Sequence, residues 1–400
     1  MPANLENELE NIISLALENA GVAQANRAAV GLAVLATIRD LLYHGTNEEL
    51  EYLRRLSRSY LMLFLLKCDP HVCTYFDGLA ANLRVFVCNS LIVPALSEIG
   101  LAPHNRRHWN LLYSAKQANV KLIINKSTLD ELVSHLQRVQ RIYADDYSGL
   151  KSHYSDERTL RYVHEILIRA YLYERANGTS ISFDRFLNRI VTPGLSKALM
   201  AQELQAFLYD ELGIQFVEDE ALGVKLDETE IAMLSEELKQ LKPTEHQAKN
   251  DAKTILTIYA LRKKDNEAGK NGAFGYSTWW LSKDTTTYRA VLNCYKKSPR
   301  VSCYLRPDFL LNYITLSANR RQANKVFDKM FPTLIGISFS HHVTPEVCEV
   351  VHQAVLSHKD LAASRVKAVV ANMSTMLMTQ AYNKGANSLR HFLEEHLSKS

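Results

Sequence analysis

What this chain lacks narrows it first. Its six cysteines, at 68, 73, 88, 294, 303 and 348, make no CxxC pair. A structural zinc ribbon needs such pairs, and a disulfide framework needs ordered spacing in a secreted chain, so neither is expected. Neither "CDPHVC" (68–73) nor "HH" (341–342) has zinc-ligand spacing. Long hydrophobic runs are missing too. The most apolar stretch, "SYLMLFLL" (Ser59 to Leu66), falls far short of the roughly 20 residues that a bilayer-spanning helix needs. The N-terminus does not resemble a signal peptide, and there is no internal repeat or low-complexity tract. Charge of one sign is in small excess only: the net charge is +4 and the pI about 8.6. Such a mildly basic chain permits nucleic-acid binding without arguing for it. The expectation is a soluble cytoplasmic protein with reduced thiols and no membrane partner.

What is present is an ordinary globular composition, 47% hydrophobic and 22% charged over 400 residues, enough chain for two or three domains. Residues 1–80 read as a helical N-terminal region. "NRAAVGLAVLATIRDLLYHG" stops at Gly45, and "NEELEYLRRLSRSYLMLFLLK" is amphipathic, with Arg54, Arg55 and Arg58 on a basic face that an ordinary solvated surface also explains. The texture then changes. "LRVFV" (83–87), "VKLIIN" (120–125), "TWWLSKD" (278–284) and, more weakly, "VSCYL" (301–305) are short β-branched or aromatic runs, as buried strands are. Helical patterns separate them, and that alternation indicates a parallel α/β sheet. An α/β domain over 81–310 is expected, with a helical insertion at about 143–249 that is too long for a loop, and a helical C-terminal region over 311–400. Within the insertion, "VEDEALGVKLDETE" (217–230) reads as an acidic surface loop leading into a helix.

In open α/β sheets ligands bind beyond the carboxyl ends of the strands. Cys88, Asn89 and Ser90 follow the first strand, Glu131 opens the helix after the second, Asp251 lies near the start of the helix before the third, and Asp284 ends "WWLSKD". Three acids from separate segments of one sheet edge suggest a divalent-metal site, since Mg²⁺ and Mn²⁺ prefer oxygen ligands. Each has a plainer explanation. Glu131 in "STLDEL" and Asp251 could favour helix starts through their charge or as caps, and Cys88 could be a small buried hydrophobe.

"VFVCNSLIVPALSE", "LIINKSTLDELVSHL", "KNDAKTILTIYALRKK" and "STWWLSKDTTTYRA" occur in the order of the PIN-like nuclease domain, which the chain resembles in these four pieces. The resemblance implies a PIN-like parallel-sheet core flanked by helices, with the helical N-terminus, insertion and C-terminus outside it. It also implies metal-dependent cleavage of phosphodiester bonds, RNA favoured over DNA. Glu131, Asp251 and Asp284 take three of the family's acidic positions as catalytic metal ligands for Mg²⁺ or Mn²⁺, with Ser282 in its Thr/Ser place. Cys88 stands where the family keeps its first aspartate, and Asn89 and Ser90 match the small polar residues after it. A thiolate is a poor Mg²⁺ ligand, so the site is either held by three carboxylates, completed by Glu98 or Asp77, or dead. A toxin or phage-defence effector fits such an elaborated PIN-like chain by resemblance alone.

His135 lies four residues after Glu131 on the same helical face, at the site rim or in a structural role. "GKNGAFG" (269–275) precedes a strand rather than joining strand to helix, so it fails the phosphate-loop context and reads as a flexible loop. Arg289, Lys296, Lys297, Arg300 and Arg306 follow Asp284 among Tyr288, Tyr295, Tyr304 and Tyr313. Such interleaving suits a phosphate backbone and stacked bases, and equally an ordinary basic surface over core tyrosines. The expected partners are a nucleic acid, RNA favoured, and a regulatory protein on the helical additions, with homo-oligomerisation open. A degenerate PIN-like binding or scaffold protein is the alternative, which Cys88 favours; carboxylates that point apart, or a basic side chain filling the space between them, would mark it. A helical regulatory protein unrelated to the family would have no central parallel sheet.

Overall fold

The computed structural model describes residues 13–14, 17, 24–52, 82–242, 244–267, 276–284, 286–296, 300–317, 345–358, 361–378 and 393. Among the described residues fourteen α-helices accompany five strands, and the chain divides into two compact units. The first unit takes residues 1–88, 102–125 and 211–336, and the second takes 89–101, 126–210 and 337–400.

The first unit holds the sheet. Its strands are β1 (Arg84–Val87), β2 (Lys121–Ile124), β3 (Ile214–Phe216), β4 (Thr278–Leu281) and β5 (Tyr304–Leu305), all parallel in the order β3-β2-β1-β4-β5. The register sets Phe86 beside Ile123 and Trp280, and Ile124 beside Phe216. Strands with both faces covered read as continuous apolar runs, and "VFV", "LII" and "WWL" do. Phe86, Ile123 and Trp280 join a buried cluster with Leu234, Leu238, Ile255, Ile258 and Val291. By the two-residue alternation of a strand, Val85, Val87, Leu122 and Ile124 point to the other face, and they are buried as well. The α/β reading therefore holds, and a purely helical protein is excluded.

Helices in chain order are α1 (Gln24–His44), α2 (Asn89–Ser97), α3 (Arg107–Gln117), α4 (Lys126–Ile142), α5 (Glu157–Leu160), α6 (Ile166–Ala176), α7 (Phe183–Leu187), α8 (Lys197–Leu212), α9 (Glu228–Lys239), α10 (Glu245–Lys264), α11 (Thr286–Cys294), α12 (Pro307–Ser317), α13 (Pro345–Ser357) and α14 (Ala363–Met378). Within the first unit α9, α10 and α11 supply the cluster against the sheet, and α3 packs on β2 and α12. Asn119, in the left-handed region at φ 59°, turns the chain from the end of α3 into β2. Gly213 does the same before β3 at φ 68°, where a Cβ would also meet Lys116 Cγ at 2.8 Å.

The sequence reading missed β3. "GIQFV" lies inside the stretch read as a helical insertion, yet Val217 N–H donates to the Ile124 carbonyl at 2.9 Å, continuing the β2–β3 ladder. The acidic stretch 217–230 is a loop with one 3₁₀ turn that leads into α9, as read, and Asp227 caps that helix by accepting from the Thr229 N–H.

The second unit is helical and aromatic. Tyr143 stacks on Phe183 with ring centroids 4.1 Å apart, and Tyr147 stacks on His352 at 4.3 Å. α2 packs on α6, and α14 packs on α5, where Lys367 bonds Ser155. Among the described residues no helix is long and apolar enough to cross a membrane.

Candidate site at the carboxyl edge of the sheet

Asp251 and Asp284 are brought together, and a third side chain meets both. Asp284 follows β4 by three residues. Its position is fixed by Ser282, which is fully buried and whose Oγ accepts from the Asp284 N–H at 3.1 Å. The Ser282 N–H donates to the Leu305 carbonyl at 3.2 Å, which ties the turn to β5. Asp251 sits in the second turn of α10. It does not cap that helix, because Thr244 does, accepting from the Gln247 N–H at 3.2 Å. The same polar face of α10 carries Thr254, which accepts from the Asn125 Nδ2 at 3.5 Å, so the helix is registered against the end of β2.

Between the two carboxylates lies the ammonium of Lys242, from the turn that joins α9 to α10, ion-paired and hydrogen-bonded with Asp284 and ion-paired with Asp251. The lysine side chain is 12% exposed, that of Asp251 15% and that of Asp284 27%. Burial works to discharge the ammonium, but Asp251 and then Asp284 outweigh it and hold the lysine pKa above its ordinary value. Lys242 is thus a firmly charged cation clasped by two anions. This lysine had no sequence signal: "LKPTE" belongs to no motif, and its partners are remote in sequence.

Cys88 packs partly buried on the apolar cluster with Tyr304, and its N–H donates to the Leu281 carbonyl at 3.0 Å. Its surroundings are those of a small hydrophobe on a strand end. Tyr304 stands near Asp284, and burial, followed by that carboxylate, pushes its phenol up to about 12. Lys283 is exposed, with Nζ 3.2 Å from the His108 Nε2.

The remaining expected acid and its polar neighbours belong to the second unit. Asn89 and Ser90 open α2 in the second unit, where the Asn89 Nδ2 donates to the Thr128 carbonyl at 3.0 Å. Glu131 and His135 lie on α4 of that unit. His135 has Nδ1 3.2 Å from Arg138 Nη2, and Arg138 pairs with Glu165 at 3.0 Å. Burial holds the His135 imidazole below its ordinary pKa, which suits a neutral ring in a structural network.

The basic stretch is only partly available. Arg289 and Lys296 are exposed beside the exposed Tyr288, whereas Tyr295 is buried. Arg300 pairs with Glu230 and lies over the Tyr295 ring at 4.0 Å, and Arg306 pairs with Asp308 at 2.9 Å. Lys297, Asp77, "CDPHVC", "GKNGAFG", "HH" and the Arg54, Arg55 and Arg58 face lie outside the described residues, as does the side chain of Tyr313.

Among the described residues, no group of three or more His, Cys, Asp and Glu side chains is gathered as a metal site. No family model matches the chain, no curated protein matches it, and no solved structure matches it.

Proposed function

We propose that the chain is a catalytically degenerate PIN-like protein, a binding or scaffold module whose sheet edge already holds a cation of its own. The observation that carries this reading is Lys242. Its ammonium lies between Asp251 and Asp284, where a divalent ion would have to sit to use both carboxylates. The donor set fits a divalent ion poorly. Two carboxylates are engaged by an ammonium, and the position resembling the family's first aspartate is a cysteine packed on apolar side chains. A parallel sheet with acids beyond its carboxyl edge is in keeping with the PIN-like resemblance. Arg289 and Lys296, exposed on and just after α11, give the module cations for a phosphate backbone.

A second reading, the Mg²⁺- or Mn²⁺-dependent endonuclease with RNA favoured, is supported by one observation: carboxylates from two separate elements converge at that edge. One assay separates the two. The chain is incubated with mixed RNA and DNA and Mn²⁺, beside Asp284→Ala. The degenerate module leaves the strands intact in both samples. Cleavage by the unmodified chain that disappears in Asp284→Ala would establish the nuclease.

A further inference from the structure

At the opposite, amino-terminal end of β4 the first unit carries a pocket of about 580 Å³, within the size range of small-molecule sites. Arg262 of α10 is on its wall and is 4% exposed. Its Nε donates to the Thr278 carbonyl at 2.9 Å, and its Nη1 donates to the Val301 and Ser302 carbonyls, each at 3.1 Å. Its Nη2 is buried with no hydrogen-bond partner. The Tyr276 and Trp279 rings cover the guanidinium at 4.2 and 4.6 Å. A buried donor without an acceptor is costly and points to a group that is not part of the chain.

The charges on the wall sort in one direction. Every acid is already engaged within the fold. Asp227 caps α9 and accepts from the Thr229 N–H at 2.9 Å. Glu230 pairs with Arg300. Glu267 accepts from the Ser277 and Thr278 N–H groups at 2.8 and 2.9 Å and pairs with Arg84 at 3.3 Å. Of the cations, Arg300 is taken by Glu230 and Arg262 is held by carbonyls, but the two lysines are not so engaged. Lys225 and Lys263 are exposed on the same wall with no hydrogen-bond or ion-pair partner among the described residues, and no carboxylate there is within ion-pair distance of Arg262. What remains is positive charge beside two tyrosine rings, Tyr259 and Tyr276.

We propose that this pocket binds a nucleoside phosphate. Lys225 and Lys263 face the phosphates, a phosphate oxygen supplies the acceptor that Arg262 Nη2 lacks, and the tyrosine rings offer surface to the base. Because Tyr276 shields the guanidinium, seating the phosphate turns that ring from the arginine onto the base. The site lies at the other end of the strands from Lys242 and does not depend on what that edge does.

Calorimetry in the presence of EDTA tests it, with ATP, UTP, adenosine and tripolyphosphate as probes. Both nucleotides are expected to bind, with adenosine and tripolyphosphate each weaker by about tenfold or more. The double variant Lys225→Glu with Lys263→Glu is expected to weaken ATP by about tenfold or more. Both lysines are exposed, so it should fold, and circular dichroism checks this. Absence of heat with either nucleotide, tripolyphosphate binding as tightly as ATP, or a folded double variant with unchanged affinity would each overturn the proposal.

Discussion

Removing the Lys242 ammonium leaves Asp251 and Asp284 facing one another with their shared counter-charge gone. Breaking a buried ion pair from one side costs about 3–5 kcal/mol, and partial exposure of these three side chains reduces that to about 2 kcal/mol. Lys242→Met is expected to lose that amount in urea unfolding, and adding Asp251→Asn to it is expected to recover part of the loss. The pH dependence has a definite sign. A lysine whose native pKa is raised contributes fully below its unfolded value of 10.5, and the contribution fades as pH rises through the native value. The difference between wild type and Lys242→Met should therefore stay level from neutrality to about 10 and shrink only beyond it. Asp251 and Asp284 were legible in the sequence because they flank recognisable elements, a helix start and the end of an apolar strand. Lys242 was not, because the reach of a long side chain from a loop onto acids remote in sequence is a tertiary fact.

At the scale of elements, β5 is only two residues long and depends on what holds its start. Arg262 supplies part of that hold by bonding carbonyls at the beginning of β4 and just before β5. Arg262→Met fills much of the volume but strands the buried Thr278 carbonyl and two part-buried ones, and a loss of about 2 kcal/mol in chemical denaturation is expected. In the second unit, α13 presents His352 to the Tyr154 hydroxyl at 3.0 Å and to the Tyr147 ring. Burial lowers the imidazole pKa below its ordinary 6.5, against the opposing pull of Asp146 and Glu349. The unfolded chain then binds a proton that the native state resists, so stability falls as pH drops below 6.5. His352→Gln should flatten that slope relative to wild type in melting curves recorded between neutrality and mild acid. The element that sequence reasoning missed, β3, shows how such reasoning fails. Three residues directly after the long helix α8 carry too few alternations to break the helical period, and only pairing with β2 makes them a strand.

For the whole molecule, a parallel sheet was readable because its central strands are buried on both faces and therefore apolar throughout. The chemistry of its edge was not, since charge balance there is set by a loop lysine. The central claim is that this lysine holds the cation's place between Asp251 and Asp284. The most direct measurement is a crystal soaked in Mn²⁺ and examined for anomalous signal. The expected result is no peak between the two carboxylates, with Lys242 still bridging them. A peak there, with Lys242 displaced, would contradict the account.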